Sequence, residues 1–131
     1  MWGAFFMQRT LKCLYVKENS LPEVIIIPNT LKAKQEKVNG LIEYAYMLDD
    51  YDVAIICNEE GKINGMKPNR DIGHDIIFGP FLIVGETSDD GEDRSLTDEQ
   101  IKKYMELFDE KSIDNTMAKY EAIRMSNGYE F

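Results

Sequence analysis

The sequence is poor in the residues that catalytic and metal sites use most. Its 131 residues include one histidine, His74, and two cysteines, Cys13 and Cys57. It contains no C-x-x-C, H-E-x-x-H, G-x-S-x-G or Walker A pattern. His74 precedes Asp75, but neighbouring residues of a strand point to opposite faces, so these two could act together only in a loop. We therefore predict no catalytic residue, no metal site and no cofactor, and we expect a non-catalytic protein.

Long hydrophobic runs are also missing. No apolar stretch approaches the roughly 18 residues that cross a bilayer, and no basic residue precedes the apolar start of the chain, which predicts against a secretory signal. Both cysteines lie in apolar runs, which favours buried, reduced thiols. We expect a cytoplasmic protein with no membrane contact. Residues 1–10 are interpreted as an N-terminal extension, with Met7 as an alternative start.

Negative charge is the property the sequence has in excess. The formal net charge is −9, and residues 86–110 alone contribute 10 acidic and 3 basic side chains. A surface of this sign repels nucleic acid and attracts basic protein surfaces. We therefore predict a protein partner with a basic surface and no direct binding of nucleic acid.

Apolar and β-branched runs predict about five strands, separated by turn residues. Pro80 has no N–H group for a β-ladder, so the last and most apolar run must be broken or bulged near Gly79. Residues 62–75 are rich in glycine, asparagine and aspartate and are predicted to form a structured loop. The predicted strands cover residues 11–17, 24–27, 41–48, 53–57 and 76–85.

Two helices carry clear start signals, and a third is expected near the C-terminus. The first is predicted over residues 31–38. The second has Thr97 as N-cap and Gln100 at the third helical position, which together make a capping box. Its apolar stripe is Ile101, Tyr104, Met105 and Phe108.

The last predicted helix is capped by Ser112. The pattern predicts one α+β domain over residues 11–110, with a mostly antiparallel sheet and two to three helices packed on it. Residues 111–131 form a C-terminal helical extension on the same domain.

The loop after the fourth strand is a candidate ligand site. Asn58, Asn69, Arg70 and Asp75 lie among glycines and prolines between residues 58 and 80. Asn69 and Arg70 in such a loop could bind an anion. Equally, Arg70 could hold the loop together by binding backbone carbonyls or by pairing with Asp71 or Asp75. Both interpretations stay open at this point.

The acidic block is a candidate surface for a protein partner. Its aspartates lack the alternating spacing of a calcium-binding loop. A solvated polar loop and an interaction surface are the two remaining interpretations. The predicted partner-binding residues are Asp89, Asp90, Glu92, Asp93, Glu99 and Glu106.

Four blocks of the sequence resemble a family of small domains of unknown function that phages, plasmids and conjugative elements encode. The blocks are CNEEGK from Cys57, KPNR from Lys67, DIIFGPFLIVG from Asp75 and SLTDEQ from Ser95. They occur in the order of the family, and the resemblance covers about residues 11–108. The resemblance implies a mobile genetic element and carries over no catalytic residue.

These observations lead to two hypotheses. The first is a non-catalytic protein of a mobile element that binds and regulates or inhibits a protein partner, such as a host defence nuclease, in the manner of an anti-CRISPR or anti-restriction protein. The alternative is a small-ligand or nucleotide-binding domain, or an unrecognised enzyme, with its site at residues 58–80. Polar groups that converge on a pocket would favour the alternative, and polar groups already bonded internally would favour the first.

Overall fold

The computed structural model describes residues 9–47, 49–85 and 91–127. Within these ranges the chain forms seven strands and three helices. In chain order they are β1 (Thr10–Val16), β2 (Glu23–Pro28), α1 (Leu31–Val38), β3 (Ile42–Met47), β4 (Asp50–Asn58), β5 (Pro68–Asp71), β6 (Ile76–Phe78), β7 (Phe81–Gly85), α2 (Asp98–Leu107) and α3 (Glu110–Asn127).

Five strands form an antiparallel sheet in the order β2-β1-β7-β4-β3, which confirms the predicted α+β fold. The two outer pairs, β1–β2 and β3–β4, are neighbours in sequence. The most apolar strand, β7, lies between them, and all five of its residues are buried. The sheet therefore joins two sequence-local pairs through one central strand.

Apolar side chains alternate between the two faces of this sheet. One face, which we call the α1 face, buries Leu11, Cys13, Leu82 and Val84 together with Val38 of α1. The opposite face, which we call the α2 face, buries a second cluster beneath α2 and the β5–β6 pair. That cluster includes Leu14, Val16, Ile55, Ile77, Phe81, Ile83, Tyr104 and Phe108.

The start of α2 agrees with its sequence signal. The Thr97 hydroxyl accepts a hydrogen bond from the Gln100 N–H at 3.1 Å, and the Gln100 side chain accepts one from the Thr97 N–H at 2.9 Å. The helix then inserts Tyr104 and Phe108 into the core. Met105, predicted to lie in the same buried stripe, is 40% exposed, because it faces the open side of the sheet near β2.

The prediction of a loop over residues 62–75 was wrong in its second half. Pro68–Asp71 is β5, which pairs with β6 in a separate two-stranded sheet. The predicted break at Gly79 and Pro80 is present, and it divides the run 76–85 between the two sheets. Gly79 has a φ of 87°, and a Cβ atom at this position would collide with the Met66 side chain. Glycine is thus required where the chain passes from one sheet to the other.

The last helix begins earlier than predicted. α3 starts at Glu110, and the Asp109 carboxylate accepts a hydrogen bond from the Ser112 N–H at 3.0 Å, as an N-cap side chain does. The helix packs on β5, where Thr116 accepts a hydrogen bond from the Asp71 N–H and Lys119 pairs with the Asp71 carboxylate.

Both cysteines are buried free thiols, as predicted. Cys13 lies on the α1 face and Cys57 on the α2 face, so the sheet separates them. Burial raises the pKa of each thiol to about 12. No helix in the described ranges is both long enough and apolar enough to cross a bilayer.

Candidate functional site: a partner-binding surface

Asn58, the first residue of the predicted ligand site, is committed to internal contacts. Its side-chain amide donates to the carbonyls of Val38 and Asn39 at 3.0 and 3.2 Å. Its side-chain oxygen accepts from the Glu60 N–H at 2.7 Å. Asn58 therefore ties the end of α1 to the end of β4.

Asn69 is buried in the same way, between the two sheets. Its side-chain amide donates to the carbonyls of Val16 and Gly79 at 3.0 and 2.8 Å. Its side-chain oxygen accepts from the Arg70 guanidinium at 2.9 Å. All of these partners belong to the protein.

Arg70 is fully buried, and its guanidinium makes hydrogen bonds only within the fold. Nε donates to the Ser112 hydroxyl at 2.9 Å. Nη2 donates to the carbonyls of Ser20 and Phe108, at 2.6 and 3.2 Å. Nη1 donates to both oxygens of Asn69, which uses the remaining donors of the fork. Burial lowers the pKa of Arg70, and the nearby negative charge of Asp109 opposes that shift. None of the ion pairs found in the described ranges includes Arg70.

These contacts make Arg70 a buried structural cross-link. It binds the loop after β1 and the junction between α2 and α3, where a cation also complements the carbonyl end of α2. This is the second of the two roles that the sequence left open for Arg70, namely the binding of backbone carbonyls.

Asp75 is the exposed member of the set. Its carboxylate pairs with Lys62 at 2.9 Å and accepts from the Ile76 N–H. Asp75 and Asn58 line one cleft of about 230 Å³, whereas Asn69 and Arg70 lie outside it. Ligand pockets usually exceed about 300 Å³ and bring several polar groups together. The four residues thus do not converge on one site, which favours the interaction hypothesis over the ligand-binding alternative.

Among its described residues, the acidic block is not uniformly exposed. Asp89 and Asp90 lie outside the described residues. Glu92 is half-buried, 3.5 Å from the Asn29 amide. Glu99 and Glu106 are exposed on α2.

Asp93 requires a correction, because it is 2% exposed and cannot belong to an open surface. Its carboxylate lies 2.6 Å from Lys34 Nζ and accepts a hydrogen bond from the Tyr44 hydroxyl at 2.7 Å. Both side chains of the ion pair are buried, at 10% and 1% exposure. Burial and the hydrogen bond to Asp93 raise the pKa of Tyr44. Asp93 thus fastens its segment to α1 and β3 on the α1 face.

The exposed acids of α2 lie across the sheet from Asp93 and next to an open apolar cleft. The cleft has a volume of about 500 Å³ and runs between α2 and the β1–β2 pair. Val24 and Met105, 41% and 40% exposed, line it together with Ile101. Its charged rim is formed by Asp98, Glu106, Lys12 and Lys102. We call this cleft and its rim the α2–β2 surface.

The apolar half of this surface was missed from the sequence. A hydrophobic residue on an amphipathic helix is normally assigned to the core, and so was Met105. The sequence signal for this apolar surface was in β2, where apolar and polar residues do not alternate. Its four consecutive residues Val24, Ile25, Ile26 and Ile27 are all apolar. An edge strand of this composition exposes apolar residues on whichever face is left uncovered, and here Ile26 is 67% exposed.

A family model matches residues 11–109 and describes a domain of unknown function, DUF3846. The chain belongs to the DUF3846 family. The DUF3846 match begins at the second residue of β1, contains the other six strands, α1 and α2, and ends just before α3 begins at Glu110. Comparison with curated proteins and with solved structures gave no significant match.

The buried Arg70 and the buried ion pair fall within the DUF3846 domain, although one hydrogen-bond partner of Arg70, Ser112, lies in α3 beyond it. Arg70 and Asn69 belong to β5, and Asp93 and Lys34 join the segment before α2 to α1.

Within the described ranges, no group of three or more histidine, cysteine, aspartate or glutamate side chains could hold a metal ion. His74 is exposed on the loop between β5 and β6.

Proposed function

We propose that this chain is a non-catalytic interaction protein that binds a protein partner through the α2–β2 surface. The observation that carries the proposal is the open cleft with an apolar floor of Val24, Ile101 and Met105. Specific interfaces commonly combine an apolar centre with a polar rim. Methionine suits such a centre, because its unbranched side chain adapts to the shape of a partner.

The charges around this cleft favour a basic partner. Asp98, Glu99 and Glu106 of α2 are exposed, and the Asp98 side chain is 98% exposed. Of the two lysines of α2, Lys103 is paired with Asp50 at 2.7 Å. The rim itself holds two acids and two lysines, and Lys12 pairs with Asp98 at 3.7 Å. Glu99, exposed beside the rim, adds a third acid, so the net charge around the cleft is −1. A negative excess steers a positive surface toward the cleft and speeds association.

The proposed partner is a protein that handles nucleic acid, such as a host defence nuclease that the chain inhibits or regulates inside the cell. Two arguments support this part of the proposal. The resemblance of the sequence blocks points to mobile genetic elements, for which such inhibitors are useful. An acidic surface can also occupy a cleft that evolved to hold phosphates.

The test compares two double variants with the same change of net charge. Glu99→Lys with Glu106→Lys alters the α2–β2 surface, and Glu36→Lys with Asp114→Lys alters exposed positions of α1 and α3. The association rate of a partner captured by the wild type is then measured, for each variant, across a series of salt concentrations. We expect the α2 variant to bind at least about tenfold more weakly. Its association rate should also lose most of its dependence on salt, because salt screens steering charges beyond about 8 Å.

The floor of the cleft is tested separately with Met105→Ser, which changes no charge. We expect faster dissociation of the same complex and only a small fall of the unfolding midpoint, because Met105 is 40% exposed and contributes only part of its side chain to the core. The proposal fails if the control double variant weakens binding as much as the α2 variant does, or if Met105→Ser leaves dissociation unchanged.

A further inference from the structure

The outer edge of β3 carries unpaired backbone groups. Within the described ranges, β3 has a single neighbour in the sheet, β4. The Leu41 carbonyl accepts from the Glu59 N–H at 2.9 Å, so alternate residues from Leu41 onward direct their backbone groups to β4. Ile42 and Tyr44 therefore present their N–H and C=O groups to the free side.

The opposite edge of the sheet, at β2, is protected. The Asn29 N–H donates to the Arg9 carbonyl at 2.9 Å, which fixes the alternation along β2. The outward positions are then Pro22, Val24, Ile26 and Pro28. Proline has no N–H, so both ends of this edge are unable to extend a ladder. No proline occurs in β3, where the regular ladder is limited only by a bulge between Ala45 and Met47.

A groove follows the free edge of β3. It has a volume of about 520 Å³ and lies between β3 and the β5–β6 loop. Tyr46, Tyr51 and Ile72 give it an apolar and aromatic lining, and Tyr51 is 66% exposed. At the level of Glu43 and Asp75 it meets the 230 Å³ cleft described above, since both residues line both cavities.

The cleft end of this groove is acidic. Glu43, Glu59 and Glu60 line it and are exposed. None of the ion pairs found in the described ranges involves these three carboxylates. The lysine at this end, Lys62, is already paired with Asp75. The groove therefore complements a segment that is apolar at one end and positively charged at the other.

We propose that the β3 edge binds an extended, lysine- or arginine-containing segment of a partner protein as a sixth strand of the sheet. Backbone hydrogen bonds to Ile42 and Tyr44 supply affinity, as in other cases of strand addition. Basic side chains of the segment meet Glu43, Glu59 and Glu60, and its apolar side chains meet Tyr46 and Tyr51. This site is separate from the α2–β2 surface, so either can exist without the other.

The test uses a capped nine-residue peptide with lysine in one half and valine and threonine in the other, and a matched peptide with glutamate in place of lysine. Binding is followed by nuclear magnetic resonance of the ¹⁵N-labelled full chain. We expect the amide signals of Ile42 and Tyr44 to shift and their hydrogen exchange to slow with the lysine peptide only. Two further peptides carry backbone N-methyl groups on alternate residues, in opposite registers, and only one register should bind.

Variants of the protein separate this site from other acidic surfaces. Glu43→Lys should weaken binding of the lysine peptide about fivefold, the size expected for losing and reversing an exposed charge contact. Glu23→Lys, at the protected β2 edge, and Glu99→Lys with Glu106→Lys should leave it unchanged. The inference is overturned if no peptide binds at 1 mM, if both N-methyl registers bind equally, or if the shifted amides lie on α2 or β2.

Discussion

Replacing Arg70 with methionine should destabilise the fold strongly without touching any exposed surface. The methionine retains the apolar stem but removes every hydrogen bond of the guanidinium. The carbonyls of Ser20 and Phe108 then lose a charged donor, and a buried group left unsatisfied costs about 1–3 kcal/mol. Methionine avoids the cost of desolvating a buried guanidinium, which offsets part of this penalty. We therefore expect the free energy of unfolding to fall by about 3 kcal/mol. At roughly 4 °C per kcal/mol for a chain of this size, the melting temperature should fall by about 12 °C.

Urea unfolding followed by circular dichroism measures this loss directly. The free energy of unfolding of Arg70→Lys should lie between those of the wild type and Arg70→Met, because one ammonium group cannot reach all the partners of the guanidinium. Arg94→Met is the matched control at an exposed arginine and should change stability by less than about 0.5 kcal/mol. If Arg70→Met lowers the free energy of unfolding by less than about 1 kcal/mol, Arg70 is not a structural cross-link.

Three further perturbations test other contacts. Asp93→Asn should cost about 3 kcal/mol in urea unfolding, because it leaves the buried Lys34 ammonium without its counter-charge. Burial by itself would raise the pKa of Asp50, but hydrogen bonds from Lys103 and Tyr104 lower it to about 2. Asp50 therefore stabilises the fold fully above its unfolded pKa of 3.8 and loses that contribution as pH falls toward 2. Asp50→Asn should flatten the pH dependence of the unfolding free energy in this window. Thr97→Ala should lower stability by about 1 kcal/mol through loss of the N-cap, and an unchanged midpoint would contradict that role.

Features that depend on neighbouring residues were predictable from the sequence. The capping box of α2 joins Thr97 to Gln100, three positions apart, and its signal is therefore local. The strands of the main sheet are short apolar runs bounded by turn residues. The need for a break at Gly79 follows from a single missing N–H at Pro80. Each of these rests on chemistry within a few residues.

Features that depend on distant partners were not predictable. β5 was missed because its buried residues, Asn69 and Arg70, are polar, and pattern reasoning expects buried strands to be apolar. Their burial is favourable only because carbonyls far along the chain, such as that of Ser20, receive their hydrogen bonds. Asp93 was assigned to the surface for the same reason. Nothing near it in sequence indicates that Lys34 and Tyr44 will neutralise and solvate its carboxylate.

The central position of β7 sets the order in which the sheet can assemble during folding. Two residues of β7 register with both halves of the sheet: Ile83 lies opposite Leu14 and Ile55, and Leu82 lies opposite Tyr15 and Ile56. The two outer pairs can form from local contacts alone, but they remain unconnected until β7 arrives from much later in the chain. Closing such long-range contacts is slow, so insertion of β7 should limit the folding rate. Truncating Ile83 to valine should then slow refolding more than the same change at Ile27 of β2, for an equal loss of stability. In a chain emerging from the ribosome, the inner edges of β1 and β4 would accordingly lack their neighbour in the sheet until β7, which ends at Gly85, has been released.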